Sequence, residues 1–301
     1  MSTPLSGNRL VTPVTEPESP VEAAAESAPA EKPAKKQDSF AVFLVKLVVA
    51  VLLFRTLLFT SFMIPSESMM PRLLVGDYLF AAKWPYGYSQ ASMPLDLDIV
   101  PGSGRLFGGL PERGDVVIFK HPIDRTDYVK RVIGLPGDQV QVMNGVLILN
   151  GEPVRKVRVA DLVIQTSAIE GCRGEDSKYA RRTGNGFTCH YPQYRETLPS
   201  GVSYVTLDFG PAGINEFQID ADNTEPYVVP EGHVFMMGDN RDNSLDSRFP
   251  PVAGKGVGFV PVENLVGRAS FMFFSTDGSA EWIKPWTWFT AARWDRIGRG
   301  I

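Results

Sequence analysis

The chain has few cysteines and histidines, and it contains no block of basic residues. Cys172 and Cys189 are its two cysteines; they are too far apart for a C-x-x-C redox or zinc pair, and no Cys/His cluster has metal-ligand spacing. We therefore expect neither a metal nor another cofactor. The formal net charge of -4 argues against a nucleic-acid partner, because phosphates require a basic face. The sequence also contains no G-x-S-x-G motif, so His121, His190 and His233 lie in no nucleophile-elbow context.

Long hydrophobic runs are scarce too, with one exception at residues 40–62. This run, FAVFLVKLVVAVLLFRTLLFTSF, is apolar apart from Lys46, Arg55 and small hydroxyl residues. About 20 helical residues suffice to cross the hydrocarbon of a bilayer, so we predict a transmembrane helix over residues 39–61. Lys46 and Arg55 lie near enough to its ends to snorkel. A buried core helix is the alternative, but the length of the run and its lack of a polar face favour the membrane span.

The flanks of this run predict its orientation. Residues 1–38 carry six prolines and almost no large apolar side chain, so we predict a disordered tail rather than a cleaved secretory signal peptide. Lys32, Lys35 and Lys36 precede the run, whereas Arg72 is the only basic residue shortly after it. By the positive-inside rule the N-terminus is cytoplasmic, the protein is single-pass, and the remainder of the chain lies outside the membrane.

The exported part, residues 62–281, is predicted to be an antiparallel β-domain. Residues 115–119 and 128–133 are short β-branched and aromatic runs bounded by Gly and Pro. Residues 139–149 alternate with period two around an Asn-Gly pair, which is typical of a hairpin. We place a smaller β-rich insertion at about residues 150–225. The predicted fold class is therefore mainly β: an antiparallel β-sheet domain with a smaller β-rich insertion, anchored by one N-terminal transmembrane helix.

The two cysteines fall within the predicted insertion. In an exported domain the oxidising surroundings favour a disulfide between Cys172 and Cys189 over two free thiols. Closing a loop of this size would stabilise the fold by about 3 kcal/mol. Such a bridge would staple the insertion and need have nothing to do with catalysis.

The C-terminal segment, residues 282–301, is rich in tryptophan and arginine. Aromatic rings with basic neighbours suit a membrane interface, where the rings contact the apolar region and the charges contact headgroups and water. A lid on the β-domain with solvent-facing arginines is the alternative. The four tryptophans concerned are Trp282, Trp286, Trp288 and Trp294.

Two serines stand at the mouth of the predicted membrane span, in the stretch IPSESMMP at residues 64–71. A serine is a weak nucleophile until a base removes its proton, so Ser66 and Ser68 require a partner elsewhere in the chain. The candidate base is Lys130, which lies in the strand-like run YVKRVI beside Arg131. Neighbouring strand residues point to opposite faces, so one of these cations is expected to face the interior.

Burial gives lysine a property that arginine lacks. The reference pKa of lysine is near 10.4, and burial lowers it by about 3 to 5 units, which leaves the amine neutral and able to accept a serine proton. Two alternatives remain open from the residues alone. Lys130 and Arg131 fit two exposed cations on an edge strand, and a Ser-His-Asp triad is not excluded by spacing.

A loop at residues 238–248, GDNRDNSLDSR, is unusually dense in hydrogen-bonding side chains. A calcium loop opening at Asp242 would place Ser247 where the invariant Gly belongs and Ala253 where the bidentate Glu belongs, so that template fails. A plain solvated loop is the other alternative. Because the run follows the apolar strand at 234–237 directly, we expect it to orient other groups.

Taken together, four blocks of sequence resemble the bacterial type I signal peptidases, also called leader peptidases. These blocks are IPSESMMP (64–71), RGDVVIFK (113–120), YVKRVIGLPGD (128–138) and GDNRDNSLDSR (238–248). The resemblance implies a Ser/Lys endopeptidase that removes N-terminal signal peptides from exported pre-proteins. It places the catalytic domain at the outer face of the bacterial cytoplasmic (inner) membrane. The implied partners are signal peptides, the lipid bilayer and the protein-export translocon.

The resemblance also implies roles for individual residues. Ser68 matches the nucleophile and Lys130 its general base, while Ser66 matches the hydroxyl that forms the oxyanion hole with the Ser68 backbone N–H. Ser244 matches the residue that hydrogen-bonds and orients the lysine. The residues that match those holding the site together are Asp246, Arg248 and Arg131. The residues that match the shallow pockets for small side chains of an A-x-A-like signal are Phe62, Ile64, Leu73, Tyr128 and Val129.

The chain departs from the family pattern at two points, and two other functions are alternatives to the signal peptidase. The best-known enterobacterial members have two membrane spans where this chain has one, and Glu67 stands where Gly is familiar. A non-catalytic β-domain that serves as a scaffold at the membrane is the alternative from a different class. A self-cleaving repressor protease is disfavoured, because it would need a DNA-binding domain where this chain has a membrane span.

Overall fold

The computed structural model describes most of the chain after the N-terminal tail. The described residues are 39–94, 104–167, 169, 171–172, 178–184, 186–211, 217–281 and 283–301. The predicted tail and Trp282 lie outside them. By its contacts the chain divides into Met1–Leu44, of which only the opening of the helix is described, and Val45–Ile301.

The apolar run forms the one described helix that is long and apolar enough to cross a membrane, by length and composition. It runs as an α-helix over Phe40–Leu53 and ends in a five-residue π-helix, Phe54–Leu58, with no buried residue. We predicted helix to residue 61, and this boundary is corrected: from Phe59 the chain is a strand. Apolarity does not separate helix from strand, and here the backbone groups of residues 59–63 bond across to a neighbouring strand.

In the described part of the chain fifteen strands follow the helix, and every pairing between two of them is antiparallel. In chain order they are β1 Phe59–Met63, β2 Asp77–Ala82, β3 Val116–Lys120, β4 Asp127–Gly134, β5 Gln139–Met143, β6 Val146–Leu149, β7 Glu152–Pro153, β8 Arg155–Gln165, β9 Ala180–Thr183, β10 Gly186–Thr197, β11 Ser203–Leu207, β12 Tyr227–Val228, β13 His233–Met237, β14 Val260–Pro261 and β15 Leu265–Ser275. Two short helices close the chain, α2 at Trp286–Thr290 and a 3₁₀ turn at Trp294–Arg296. The predicted fold class, mainly β with one N-terminal apolar helix, is confirmed.

The largest sheet has seven strands in the order β1-β2-β15-β3-β4-β13-β14. Strand β3 lies near its centre and is buried on both faces, which explains why residues 116–119 read as a continuous apolar run. Val116 and Ile118 pack into one core cluster, and Val117 and Phe119 pack into another. A sheet covered on both faces gives its central strands little freedom, and β4 beside β3 carries Lys130.

Two smaller sheets are built from the middle of the chain. One has the order β12-β5-β6-β7, and its β5–β6 hairpin turns at Asn144 and Gly145, both with positive φ as the predicted Asn-Gly turn requires. The other contains β8 to β11 within the predicted insertion. A disulfide joins Cys172 to Cys189 on β10, with 5.3 Å between the Cα atoms, beside a small core that includes Tyr191.

The C-terminal segment packs one arginine inward and leaves its rings exposed. Arg296 is buried and donates from Nε and Nη2 to the two carboxylate oxygens of Asp77, at 3.0 and 2.6 Å. Trp286, Trp288 and Trp294 are exposed. The segment is therefore held to the sheet by a buried ion pair while its aromatic rings face outward.

Candidate active site

Ser68 and Lys130 meet in the interior, although they come from distant parts of the chain. Ser68 lies in a single 3₁₀ turn, Glu67–Met69, that follows β1, and Lys130 lies in the middle of β4. Lys130 Nζ donates to Ser68 Oγ at 2.8 Å and to the carbonyl of Val129 at 3.1 Å. Both side chains are buried, with 8% of Ser68 and 3% of Lys130 exposed.

The environment of Lys130 favours its neutral form. Burial is the largest effect and lowers the pKa of Lys130 to about 8, from 10.5. The nearby carboxylates of Asp246 and Asp239 act in the opposite direction, and the guanidinium of Arg248 lowers the pKa further. A lysine with this pKa is partly deprotonated near neutral pH, which is what a general base requires.

The hydroxyl of Ser66 faces the same serine. Ser66 Oγ lies 3.3 Å from Ser68 Oγ, at hydrogen-bond distance. Both serines open into a cleft of about 550 Å³. The residues that line this cleft include Pro65, Thr126, Asp127, Tyr128, Val129, Lys130, Asn243, Ser244, Leu245 and Phe249.

Ser244 reaches the site without making the hydrogen bond that the family resemblance implies. Its hydroxyl is buried and, among the described residues, has no hydrogen-bond partner, so the expected contact with Lys130 is not formed. The side chain instead packs on Gly238, where a Cβ would lie 2.3 Å from Ser244 Oγ and 2.5 Å from the Ser68 carbonyl oxygen. Only glycine fits at position 238, between the two serines.

Buried ion pairs hold the loop at residues 238–248. Asp246 accepts from Arg248 Nε at 2.9 Å and from the backbone N–H of Gly238 at 3.0 Å. Of the two arginines expected to help hold the site together, Arg248 pairs with Asp246, whereas Arg131 donates from Nε and Nη2 to the two oxygens of Asp239, at 2.7 and 2.6 Å. Asp239 comes directly after Gly238 at the end of β13, beside β4, so it is the carboxylate within reach of a β4 side chain.

Only some of the residues predicted to form the substrate pockets lie at the cleft. Tyr128 and Val129 line the cleft, and Phe62 lines a neighbouring cavity of about 610 Å³. Ile64 and Leu73 do not line either one: they are 2% and 0% exposed and belong to the core cluster beneath the nucleophile turn. An apolar side chain close to a nucleophile can line a substrate pocket or pack in the hydrophobic core. The sequence pattern does not distinguish these two positions.

None of the three histidines lines the cleft. His121 is buried; its Nε2 lies 3.1 Å from the Gly256 carbonyl oxygen, and its Nδ1 accepts from the backbone N–H of Ile123 at 3.2 Å. His190 and His233 contact Thr188 and a backbone carbonyl. A histidine base for Ser68 therefore has no support in the geometry.

The comparison with known families agrees with this arrangement. Residues 37–274 match the family described as "Signal peptidase, peptidase S26". The chain belongs to the peptidase S26 family. Members of this family are signal peptidases, and the chain is accordingly a serine endopeptidase of the signal peptidase I type.

Curated S26 relatives are similar over most of their length. Signal peptidase I of Rickettsia bellii (strain OSU 85-389) is 35% identical over 271 residues, which cover 85% of this chain and 83% of that protein. Signal peptidase I of Rickettsia typhi is 36% identical, with coverages of 80% and 81%. A solved signal peptidase I from Enterococcus faecalis V583 aligns at 22% identity over 54% of this chain and 98% of that chain, with a TM-score of 0.28. At this TM-score the solved structure carries no argument here.

Several residues that contact the nucleophile turn were not predicted from the sequence. Asn240 donates from its backbone N–H to the Ser68 carbonyl at 3.0 Å and from Nδ2 to the Glu67 carbonyl at 3.2 Å. The Glu67 carboxylate accepts from Asn243 Nδ2 at 2.8 Å. The turn that carries the nucleophile is therefore tied to the 238–248 loop from both sides of Ser68. The density of amides in that loop was the only signal for these contacts.

Proposed function

We propose that Ser68 and Lys130 form the catalytic dyad with which this chain removes N-terminal signal peptides from exported pre-proteins. The observation that carries the proposal is the 2.8 Å hydrogen bond from the buried Lys130 amine to Ser68 Oγ. The family relationship supports the reaction, and the geometry supports the choice of residues. The Lys130 amine and the Ser68 hydroxyl are at the hydrogen-bond distance that a general base and its nucleophile require.

The reaction proceeds in two halves. Neutral Lys130 accepts the proton of Ser68 as Oγ attacks the carbonyl carbon at the cleavage site, and the resulting ammonium gives that proton to the departing amine. The signal peptide is then bound to Ser68 as an ester. A water molecule, deprotonated by Lys130, attacks the ester and releases the signal peptide, and Ser68 regains its proton. The Ser66 hydroxyl and the Ser68 backbone N–H are the proposed donors to the oxyanion in both halves.

The strand edges around the cleft fit an extended peptide. β1 is the edge strand of its sheet, and β13 pairs with β4 only from Arg131 onward. In the described part of the chain, residues 127–130 pair with β3 on one edge of β4, and no strand pairs with them on the other edge, where β13 lies farther along. Residues 60–63 and Asp127 line the neighbouring cavity together, so both edges lie along one groove. A signal peptide that adds there as a strand would place its small side chains against Tyr128, Val129 and Phe62.

The membrane assignment also has specific support. The chain carries a 19-residue apolar helix, and the curated relatives reported above are signal peptidases I. We infer that this helix spans the bacterial inner membrane once, with a cytoplasmic N-terminus. The disulfide between Cys172 and Cys189 is consistent with an oxidising compartment for the catalytic domain. The exposed rings of Trp286, Trp288 and Trp294 suit contact with lipid headgroups, and the translocon is a further proposed partner.

The test is processing of a pre-protein with an A-x-A site by the detergent-solubilised full chain. We expect cleavage directly after the signal, and its loss in Ser68→Ala and in Lys130→Met. Ser200→Ala and Lys178→Met, at two exposed residues outside the cleft, serve as the matched controls and retain activity. Intact processing by both dyad variants would favour the non-catalytic scaffold, with cleavage due to a contaminant.

A further inference from the structure

A second buried lysine lies at the junction between the apolar helix and the sheet. Lys83 follows β2 and is 2% exposed; it borders the neighbouring cavity beside Phe62 but does not line the Ser68 cleft. Its Nζ donates to the carbonyl of Arg55 at 2.7 Å and to the carbonyl of Ser92 at 2.5 Å. Burying an ammonium or amine is costly, so these two bonds indicate a position at which a donor is needed.

The end of the helix explains that need. The last carbonyls of a helix have no partner within it, and near a bilayer each unsatisfied carbonyl costs several kcal/mol. Here the π-helical turn leaves the carbonyls of Arg55, Leu57 and Leu58 to be satisfied from outside. Lys83 Nζ bonds the first, the Tyr88 hydroxyl bonds the second at 2.7 Å, and the Lys83 backbone N–H bonds the third at 3.0 Å.

The residues that make these bonds belong to one segment, residues 83–92, which is itself fixed to the sheet. Arg105 donates to the carbonyls of Tyr86 and Gly87 at 2.8 and 3.0 Å, and to the carbonyls of Val262 and Leu265, both at 2.8 Å. Segment 83–92 thus joins the end of the helix to the start of β15. The helix is not attached to the sheet by a flexible tether.

This rigid junction bears on the reaction because of where it lies. Only nine residues lie between Leu58, the last helical residue, and Ser68, and five of them form β1. Any tilt or slip of the helix end would move the nucleophile relative to the bilayer surface. A peptide bond held at fixed depth by its own membrane-inserted signal would then no longer meet Ser68 in the right place.

We propose that Lys83, with Tyr88, is a positioning residue that fixes the depth of Ser68 relative to the membrane and thereby selects which bond of a membrane-inserted substrate is cut. This inference rests on the proposed function. It predicts that the junction matters for substrates anchored in the bilayer and not for soluble ones. A short peptide diffuses to the cleft freely, whereas a pre-protein presents its bond at one height.

The experiment compares two substrates of the full chain reconstituted in phosphatidylcholine vesicles. One is a pre-protein inserted through its signal, and the other is a short soluble peptide with the same A-x-A bond. For Lys83→Met we expect kcat/KM on the pre-protein to fall by about tenfold to a hundredfold, with cuts at neighbouring bonds visible by mass spectrometry. On the soluble peptide kcat/KM should stay within about twofold, because both hydrogen bonds of the Lys83 amine go to backbone carbonyls of the junction, and the side chain is almost wholly buried.

Two further variants and the wild type make the result interpretable. Tyr88→Phe removes a single hydroxyl. It should lower the activity on the pre-protein relative to that on the soluble peptide, but by less than Lys83→Met does. This variant keeps the test valid if Lys83→Met folds poorly. Lys178→Met, at an exposed lysine outside the junction, should change neither activity. A parallel fall on both substrates, or no fall on either, would overturn the inference. Wild-type protein that cuts neither substrate would instead refute the proposed function.

Discussion

At the scale of single residues, the chemistry depends on one buried amine. Burial places the pKa of Lys130 at about 8, so below that pH the side chain is an ammonium without a lone pair and cannot accept the proton of Ser68. We therefore predict that kcat/KM rises about tenfold per pH unit below pH 8 and levels off above it. The measurement is a pH–rate profile on a soluble A-x-A peptide.

The variant Lys130→Arg supplies the control for this profile. Guanidinium does not deprotonate in proteins, so this variant should be inactive at every pH. An acidic limb near pH 6.5 would indicate an imidazole base instead. That outcome would contradict both the assignment of Lys130 and the positions of His121, His190 and His233 outside the cleft.

The same residues mark how far the site was predictable from sequence. Local patterns singled out Ser66, Ser68 and Lys130, the structure brings them together, and their roles rest on the family resemblance. The partner of Arg131 was not, since three carboxylates stand in the 238–248 loop and only the pairing of β13 with β4 selects Asp239. Pairing across strands is a property of the tertiary structure, and no local spacing encodes it.

At the scale of elements, a buried ion pair joins the active-site loop to the insertion sheet. Arg241 in the loop donates to Glu196 on β10 at 2.7 Å, and Glu196 is 0% exposed. Glu196→Gln would leave the guanidinium buried without a counter-charge. We predict a loss of about 3 to 5 kcal/mol in the free energy of unfolding, measured by urea denaturation of the detergent-solubilised chain.

Asp295 provides the comparison for this prediction, because its pair with Arg299 is exposed. An exposed pair contributes about 0 to 1 kcal/mol, so Asp295→Asn should leave the unfolding midpoint nearly unchanged. Equal stability losses in Glu196→Gln and Asp295→Asn would show that the loop and β10 do not depend on each other.

Elements were predicted well where local chemistry specifies them. The β5–β6 hairpin follows from its Asn-Gly turn, and β3 from its apolar run. The end of the apolar helix was predicted three residues late, because the predicted span included Phe59 and the small hydroxyl residues Thr60 and Ser61, which the structure places in β1. Strand β1 exists because β2 pairs with it, and that partner arrives only after the nucleophile turn.

At the scale of the whole molecule, the disulfide and the dyad serve separate purposes. Cys172 and Cys189 are 17 residues apart in the chain, their disulfide lies within the insertion, and neither lines the cleft. Replacing both by serine should lower the free energy of unfolding by about 3 kcal/mol, the cost of leaving a loop of this length open. Peptidase activity of the folded protein should stay within about twofold of wild type.

Denaturation and kinetics on the same preparation check this separation. Wild-type protein treated with a reductant should reproduce the stability of the double serine variant. A loss of activity that exceeds the unfolded fraction would mean that the insertion sheet shapes the cleft directly.

The central claim is that Ser68 and Lys130 act as one unit, and a double-mutant cycle tests it most directly. We would measure kcat on a soluble A-x-A peptide for wild type, Ser68→Ala, Lys130→Met and the double variant. Residues that act together are non-additive, so each single variant should lose at least about 10⁴-fold, and the double variant should lose no more than either single one. Losses that multiply in the double variant, or a single variant that keeps most of its activity, would contradict the dyad.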